Sequence, residues 1–123
     1  MKLLLLFLVL TLLIGCSPAN AEFSTMSQQE AYELIASDSD VIVLDVRSEA
    51  EFLSGHIEGA ILLSVQEIES HAESILLDHN AVILVICQSG NRSRTAAQAL
   101  VDLGFTNVYD IGGIISWPGE ISN

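Results

Sequence analysis

The stretch AVILVICQSGNRSRTAAQAL, residues 81–100, decides both the fold of the chain and the place of its chemistry. It begins with Val82 to Ile86, an apolar and mostly β-branched run that is typical of a strand covered on both faces. Ser93 to Leu103 then carries apolar residues at helical spacing, and Gly104 follows in the position of a left-handed helix terminator. Cys87 lies between them, where a buried strand gives way to a helix.

The same alternation of helix and strand continues on both sides of this stretch. Two segments, Ser27 to Glu30 and Ser48 to Glu51, have the capping-box pattern that begins a helix. The predicted helices are Ser27 to Ser37, a short one after Ser48 that ends at Gly55, Gln66 to Leu77, and Ser93 to Leu103. The predicted strands are Val41 to Leu44, a short one within Ile61 to Val65, Val82 to Ile86, and Asn107 to Ile111.

These elements predict an α/β fold. Because the strands are apolar throughout and alternate with helices, we expect parallel pairing through right-handed crossovers. The chain of 123 residues is long enough for one domain with a single core. The prediction is therefore a single domain with a central, mostly parallel sheet and helices on both faces. Ligands of such sheets bind beyond the carboxyl ends of the strands, where Cys87 lies.

The first residues have the pattern of a signal peptide. Lys2 is followed by an uncharged apolar run from Leu3 to Ile14, which is shorter than the about 20 residues needed to span a bilayer. The segment Leu13-Ile14-Gly15-Cys16 resembles the lipobox of bacterial lipoproteins, whose cysteine is lipidated and becomes the first mature residue. The alternatives are a plain secretory signal and a buried N-terminal helix with an incidental cysteine.

We therefore expect a signal peptide at residues 1–15 with a lipobox ending at Cys16, a short tether at 16–24, and the folded domain at 25–123. A lipid on Cys16 would hold an exported protein on a bacterial membrane, facing the periplasm or the cell exterior. In a Gram-negative cell, Ser17 after the lipidated residue favours the outer membrane. Cys87 would then be the single thiol of the mature chain, and such a thiol is either closed in a core or chemically used.

The charge of the chain limits its partners. Sixteen acidic residues stand against four basic ones, which gives a net charge of −12. Without a basic patch to neutralise phosphates, nucleic-acid binding is excluded as an expected function. The negative charge also repels anionic substrates, so an anion site has to be built from backbone amides and from Arg47, Arg92 or Arg94.

The residues after Cys87 can form such a site. Gly90 has the backbone freedom for a tight turn, and Ser93 is a candidate N-cap for the helix that follows. In this turn the amides from Gln88 to Arg92 would curl around the sulfur. Those donors and the helix N-terminus favour an anionic, nucleophilic sulfur, or an anionic adduct on it such as a persulfide. The alternative is a core cysteine that packs as a small apolar residue.

Three motifs, in the right order, resemble a single-domain rhodanese. The first is VIVLDVRSEAEFLSGHIEGAILLS, residues 41–64, which is similar to the family's strand-Asp-Val-Arg and Gly-His-Ile-x-Gly-Ala segments. The second is the loop CQSGNRS, residues 87–93, which has the family's form of Cys, four residues, Arg, then Ser or Thr. The third is GFTNVYDIGGIISWPGE, residues 104–120, which resembles the Gly-Gly-x-x-x-Trp closing segment. Together they cover nearly all of residues 25–123.

The resemblance implies a sulfurtransferase. Cys87 would take a sulfane sulfur from a small anionic donor such as thiosulfate and become a persulfide, which passes the sulfur to cyanide, a thiol or a protein acceptor. The residues implied in binding the persulfide are Gln88, Ser89, Gly90, Asn91 and Arg92. The family needs neither a metal nor an organic cofactor, and we expect none here.

Other polar residues are expected to support the loop. Asp45 and Arg47 lie at the end of the neighbouring predicted strand, and we interpret them, together with Ser93, as braces of the loop. Arg92 closes the loop and combines a structural with an anion-attracting role. We interpret His56 as a hydrogen-bonded structural residue and Trp117 as core packing.

Two other functions are compatible with the motif. A cysteine-dependent phosphatase or arsenate reductase has a similar cradle, but its sites resemble Cys, five residues, Arg, whereas four residues separate Cys87 from Arg92. A non-enzymatic persulfide carrier or a redox sensor would use the same thiol without turnover. Gln88 is neutral where a charged residue would attract thiosulfate, so the donor stays open.

Overall fold

The computed structural model describes residues 21–123. The predicted signal peptide, lipobox and Cys16 lie outside the described residues. Within residues 21–123, the helices are all too short or too polar to cross a membrane.

The described residues form short strands and helices in alternation. They are β1 (Ser24–Thr25), α1 (Gln28–Ser37), β2 (Ile42–Asp45), α2 (Glu49–Leu53), β3 (His56–Ile57), β4 (Ile61–Leu62), α3 (Ile68–Ile75), β5 (Val82–Cys87), α4 (Asn91–Asp102), β6 (Asn107–Gly113) and β7 (Ile121–Ser122). Two 3₁₀ turns, Val65–Glu67 and Ile114–Ser116, follow β4 and β6.

The central sheet is parallel, as predicted. Its five strands lie in the order β1-β6-β5-β2-β4, and every neighbouring pair is parallel. A small antiparallel ribbon of β3 and β7, which the sequence did not predict, closes the domain. Since β5 lies in the middle of the sheet, its last residue, Cys87, reaches the carboxyl edge between the ends of β2 and β6.

Both faces of the sheet are covered by helices. On one face Ile83 and Val85 pack with the buried residues of α3 and α4. On the other face Leu84 and Ile86 pack with Ala31 of α1. This explains why β5 is apolar at successive positions, because each side chain enters one of two cores. The predicted α/β architecture is confirmed.

Helix α4 begins two residues earlier than predicted. Gly90 adopts a left-handed conformation, with φ of +104°, and itself occupies the cap position, so that helical geometry starts at Asn91. The prediction of Ser93 as the N-cap is therefore wrong. Ser93 lies inside the first turn, fully buried, and its Oγ donates to the carbonyl of Gly90 at 3.2 Å.

The other element boundaries differ in smaller ways. The predicted helix from Gln66 to Leu77 is divided into the 3₁₀ turn and α3. Ser27 caps α1 by accepting from the amide of Glu30 at 3.1 Å, whereas the reciprocal capping box is complete at Ser48.

The described part of the fold includes residues of the predicted tether. Ser24 was assigned to the tether, but it belongs to β1 and pairs with Tyr109 of β6. Phe23 packs against the core on the α4 side, and Gln98 of α4 donates to the carbonyl of Ala21 at 3.1 Å. The sequence offered little signal for so short an edge strand.

Candidate active site

Cys87 lies at the carboxyl edge of the sheet, beneath the first turn of α4. It is only 1% exposed, and the backbone amide of Gly90 donates to its Sγ at 3.0 Å. The left-handed turn at Gly90 makes this contact possible, because it brings the chain back over the end of β5. The sulfur therefore faces an amide donor and a helix N-terminus, both of which favour a negative charge on it.

The structure brings all the predicted loop residues together around this turn. Gln88, Gly90 and Arg92 are half-buried, while Ser89 and Asn91 are exposed. Within the described residues, Gly90 alone of the five donates a hydrogen bond to the sulfur. The loop is thus a narrow turn around the Sγ atom of Cys87.

Asp45 and Arg47 form a buried ion pair beside the loop. The guanidinium donates from Nε to Asp45 Oδ1 at 2.9 Å and from Nη2 to Oδ2 at 2.7 Å, and the two side chains are 0% and 3% exposed. Arg47 also donates to the carbonyl of Gly55 at 2.7 Å and to Gln88 Oε1 at 3.2 Å. The pairing of β2 with β5 places Asp45 next to Ile86, so this ion pair reaches the loop through Gln88.

Arg92 is held by a residue that sequence reasoning did not assign to the site. Its Nη1 and Nη2 donate to Glu51 Oε1 and Oε2 of α2 at 2.6 and 2.8 Å, in a two-pronged pair. The hydrogen bond from Arg92 lowers the pKa of Glu51 from 4.5 to about 2, and the same bond raises the pKa of Arg92. The guanidinium is therefore engaged with α2 rather than free to attract an anion. The sequence identified Glu51 as part of a capping box with Ser48, but only the fold shows that Glu51 also pairs with Arg92.

His56 and Trp117 lie outside the turn at Cys87. The Nδ1 of His56 is 2.9 Å from the carbonyl of Phe52, and the ring stacks on Phe52 with centroids 3.8 Å apart. Trp117 is half-buried and packs edge-on against Tyr32 of α1 at 6.1 Å. Arg94 is exposed on α4.

The end of β6 forms a wall of the site that sequence reasoning missed. Gly113 is the register partner of Cys87, and a Cβ on it would lie 2.3 Å from the carbonyl oxygen of Gln88. Only glycine permits so close an approach to the loop. The two adjacent glycines, Gly112 and Gly113, were the feature of the sequence that could have indicated this close approach. Among residues 21–123, no group of three or more His, Cys, Asp or Glu side chains could hold a metal ion.

The comparisons with known proteins agree with this geometry. A family model described as the rhodanese-like domain matches residues 27–120, which include β2, β4, β5 and β6 of the central sheet and the whole loop. The chain belongs to the rhodanese family. Thiosulfate sulfurtransferase GlpE of Pseudomonas entomophila is 38% identical over 105 residues, which cover 81% of this chain and 93% of that protein. The relationship makes this rhodanese an enzyme of the sulfurtransferase class.

Two solved structures are similar over much of the same region. A rhodanese-related protein from Thermoplasma volcanium is 31% identical with a TM-score of 0.71, and the match covers 81% of this chain and 98% of that one. The human single-domain sulfurtransferase TSTD1 is 29% identical with a TM-score of 0.64, over 72% of this chain and 88% of the other. A chain of this length is therefore sufficient for the rhodanese fold.

Proposed function

We propose that this rhodanese transfers sulfane sulfur from a small donor such as thiosulfate to a thiophilic acceptor through a persulfide on Cys87. The Gly90 amide at 3.0 Å from Sγ is the observation that carries the proposal, because it supports a thiolate before the reaction and a persulfide anion after it. The name of the Pseudomonas relative supports thiosulfate as the donor.

The proposed reaction has two steps. The Cys87 thiolate attacks the outer sulfur of thiosulfate, a new S–S bond forms, and sulfite leaves with the electron pair of the broken bond. An acceptor such as cyanide then attacks the terminal sulfur of the persulfide, thiocyanate leaves, and the thiolate is restored. The Gly90 amide faces the thiolate charge on Sγ, and the helix N-terminus would also stabilise the charge on the outer sulfur of the persulfide.

The narrow turn favours sulfur over larger groups. Four residues separate Cys87 from Arg92, and the sulfur is almost fully enclosed. A single terminal sulfur can enter such a turn more easily than a tetrahedral phosphate or arsenate. Arg92 is also bound to Glu51, so it is not placed to hold a phosphate. These observations support sulfur transfer over phosphatase or arsenate reductase activity.

Intact mass measurement tests the proposal on residues 21–123. Thiosulfate should add about 32 Da, one sulfur atom, to the wild-type protein, and cyanide should remove it. Cys87→Ser should show neither change. A wild-type protein that is folded and gains no sulfur would refute the proposal. Slow discharge to cyanide, with fast discharge to one protein thiol, would support a carrier rather than a turnover enzyme.

We also propose that the chain is lipid-anchored on Cys16 at a bacterial membrane. The support is the resemblance of Leu13 to Cys16 to a lipobox, together with the short apolar run before it. Expression of the full chain should give a membrane-associated form with a lipid mass on its N-terminal residue. Cys16→Ala should remove both the lipid and the membrane association. A water-soluble wild-type protein with an unmodified Cys16 would contradict this proposal.

A further inference from the structure

The end of β6 and the 3₁₀ turn after it, residues 111–116, are pressed against the active-site loop. A Cβ on Gly113 would lie 2.3 Å from the carbonyl oxygen of Gln88 and 2.7 Å from Cα of Ser89. The amide of Ile115 also points to the carbonyl of Gln88, at 3.5 Å. Because backbone meets backbone here, without flexible side chains between them, a displacement of this segment is transmitted to the loop.

One side chain, that of Gln28, binds three residues of this segment. The Nε2 of Gln28, at the first residue of α1, donates to the carbonyl of Ile111 at 2.9 Å and to that of Gly113 at 2.7 Å. Its Oε1 lies 3.0 Å from the hydroxyl of Ser116, whose one proton is shared between this oxygen and the carbonyl of Gly113 at 3.1 Å. Carbonyl oxygens can only accept, so the orientation of the amide is fixed by its partners. Gln28 therefore uses both of its N–H donors and its oxygen on residues 111–116.

The backbone of this segment explains why it needs such a partner. Gly112 adopts a left-handed conformation, with φ of +83°, and its amide donates a hydrogen bond to Asp110 Oδ1 at 2.9 Å. The turn at Gly112 directs the carbonyls of Ile111 and Gly113 to the same amide group. Without Gln28, the half-buried carbonyl of Ile111 would lose its side-chain donor, and that of Gly113 would keep only the Ser116 hydroxyl, 3.1 Å away. A half-buried carbonyl that has lost a protein partner would be more stable in water, and that would favour movement of the segment away from the loop.

We propose that Gln28 is a positioning residue for sulfur transfer at Cys87. It acts through Gly113, which supports the backbone of Gln88 and Ser89 and thereby the turn that brings the Gly90 amide to the sulfur. This inference rests on the proposed function, since it concerns the rate at which the same thiol reacts. It assigns a catalytic consequence to a polar side chain on the opposite side of β6 from the nucleophile.

The test compares Gln28→Ala and Gln28→Glu with Gln29→Ala in residues 21–123. Gln29 is the neighbouring glutamine on the same turn of α1, but it is exposed and its amide bonds to Glu33. The glutamate variant keeps the size of the side chain and an acceptor for Ser116, but it cannot donate to the two carbonyls. Two rates are measured at 25 °C on protein shown to be folded by circular dichroism: sulfur loading by thiosulfate, followed by mass, and alkylation of Cys87 by iodoacetamide.

Both Gln28 variants should load sulfur and alkylate at least about tenfold more slowly than the wild type, because a small misplacement of reacting groups costs rates of this size. The maximal loading rate should fall, while the thiosulfate concentration that gives half of it changes little. Gln29→Ala should match the wild type. Wild-type rates in either folded Gln28 variant would overturn the assignment. So would unfolding of both variants, since Gln28 would then be required by the fold and not by the loop.

Alkylation separates this inference from the proposed function. A wild-type protein that takes no sulfur from thiosulfate refutes sulfur transfer whatever Gln28 does. The iodoacetamide rates still report on the loop in that case, since they need only a nucleophilic Cys87. Slower alkylation in both Gln28 variants would then support the positioning role alone, and unchanged alkylation would refute it.

Discussion

Gly90 carries the turn that brings a backbone amide to the sulfur of Cys87. Its φ of +104° lies in the left-handed region, where a residue with a Cβ is strained, although the space around it is open, with the nearest atom 3.9 Å from a built Cβ. The conformation, rather than the volume of the site, therefore requires glycine. At this scale the turn over the sulfur depends on a backbone conformation that glycine adopts without strain.

Gly90→Ala should lower the free energy of unfolding by about 1–2 kcal/mol, the cost of a Cβ in the left-handed region. It should also slow the alkylation of Cys87, because relief of the strain turns the residue 90 amide away from the sulfur. Urea denaturation and iodoacetamide kinetics measure the two effects.

Gly59→Ala is the matched control for this prediction. Gly59 has φ of +81° and no atom within 4 Å of a built Cβ, so its substitution carries a similar strain outside the loop. It should reduce stability by a comparable amount and leave alkylation unchanged. Equal alkylation rates in the two variants would show that the Gly90 turn does not govern the thiol.

Helices α2 and α4 are joined at their N-terminal turns by Glu51 and Arg92. Glu51 completes the capping box with Ser48 and at the same time receives both prongs of the guanidinium. One carboxylate thus stabilises the start of α2 and attaches it to the start of α4. The link lies directly beside the active-site turn, because Arg92 is the second residue of α4.

The Glu51–Arg92 link should weaken in acid. Hydrogen bonding to Arg92 lowers the pKa of Glu51 to about 2 in the folded protein, against 4.5 for the free side chain. Because the folded pKa is the lower one, the contribution of Glu51 to stability is complete above about pH 4.5 and is lost as the pH falls towards 2. The difference in unfolding midpoint between wild type and Glu51→Gln should therefore be constant near neutrality and shrink between pH 4.5 and 2.5.

Glu49→Gln provides the control, since Glu49 is an exposed acid on the same turn of α2. Its substitution should give a smaller change in midpoint at neutral pH. A difference between wild type and Glu51→Gln that stays constant from pH 7 to 2.5 would contradict the depressed pKa.

For the whole molecule, local patterns were sufficient to predict the architecture. The apolar run of β5, the capping residues of α1 and α2, and the glycine after α4 each act within a few residues, so the parallel sheet and its helices could be predicted. The N-terminal edge strand could not, because Ser24–Thr25 is too short to carry a pattern and owes its position to β6.

The candidate site was likewise predictable only in part. Cys87 and its loop are contiguous in sequence and could be identified there, as could the candidate braces Asp45 and Arg47. Glu51 and Gln28 could not, since Glu51 reaches Arg92 of the loop from α2, and Gln28 reaches Gly113, beside the loop, from α1. The prediction of Ser93 as N-cap failed because the left-handed turn at Gly90 starts the helix sooner.

The first described residues should contribute to global stability. Phe23 is half-buried against the core on the α4 face, just before β1. Phe23→Ala should lower the free energy of unfolding by about 1–2 kcal/mol, in proportion to the apolar surface that it exposes. Leu77→Ala removes a similarly large apolar side chain that is 83% exposed, and it should change stability by less than about 0.5 kcal/mol. Equal effects of the two substitutions in urea denaturation would place Phe23 outside the cooperative unit.

The direction of β1 has a consequence for how an anchored molecule would face its surroundings. Since β1 runs parallel to β6, the chain enters the sheet from the side of the amino ends of its strands, and Ser24 pairs with Tyr109, which is level with Leu84 of β5, three residues before Cys87. If the proposed lipid on Cys16 holds the chain from that side, the amino ends of the strands would be nearer to the bilayer, and Cys87, at a carboxyl end, would lie farther from it. Such an orientation suits water-borne sulfur compounds and diffusing proteins better than partners embedded in the same lipid leaflet.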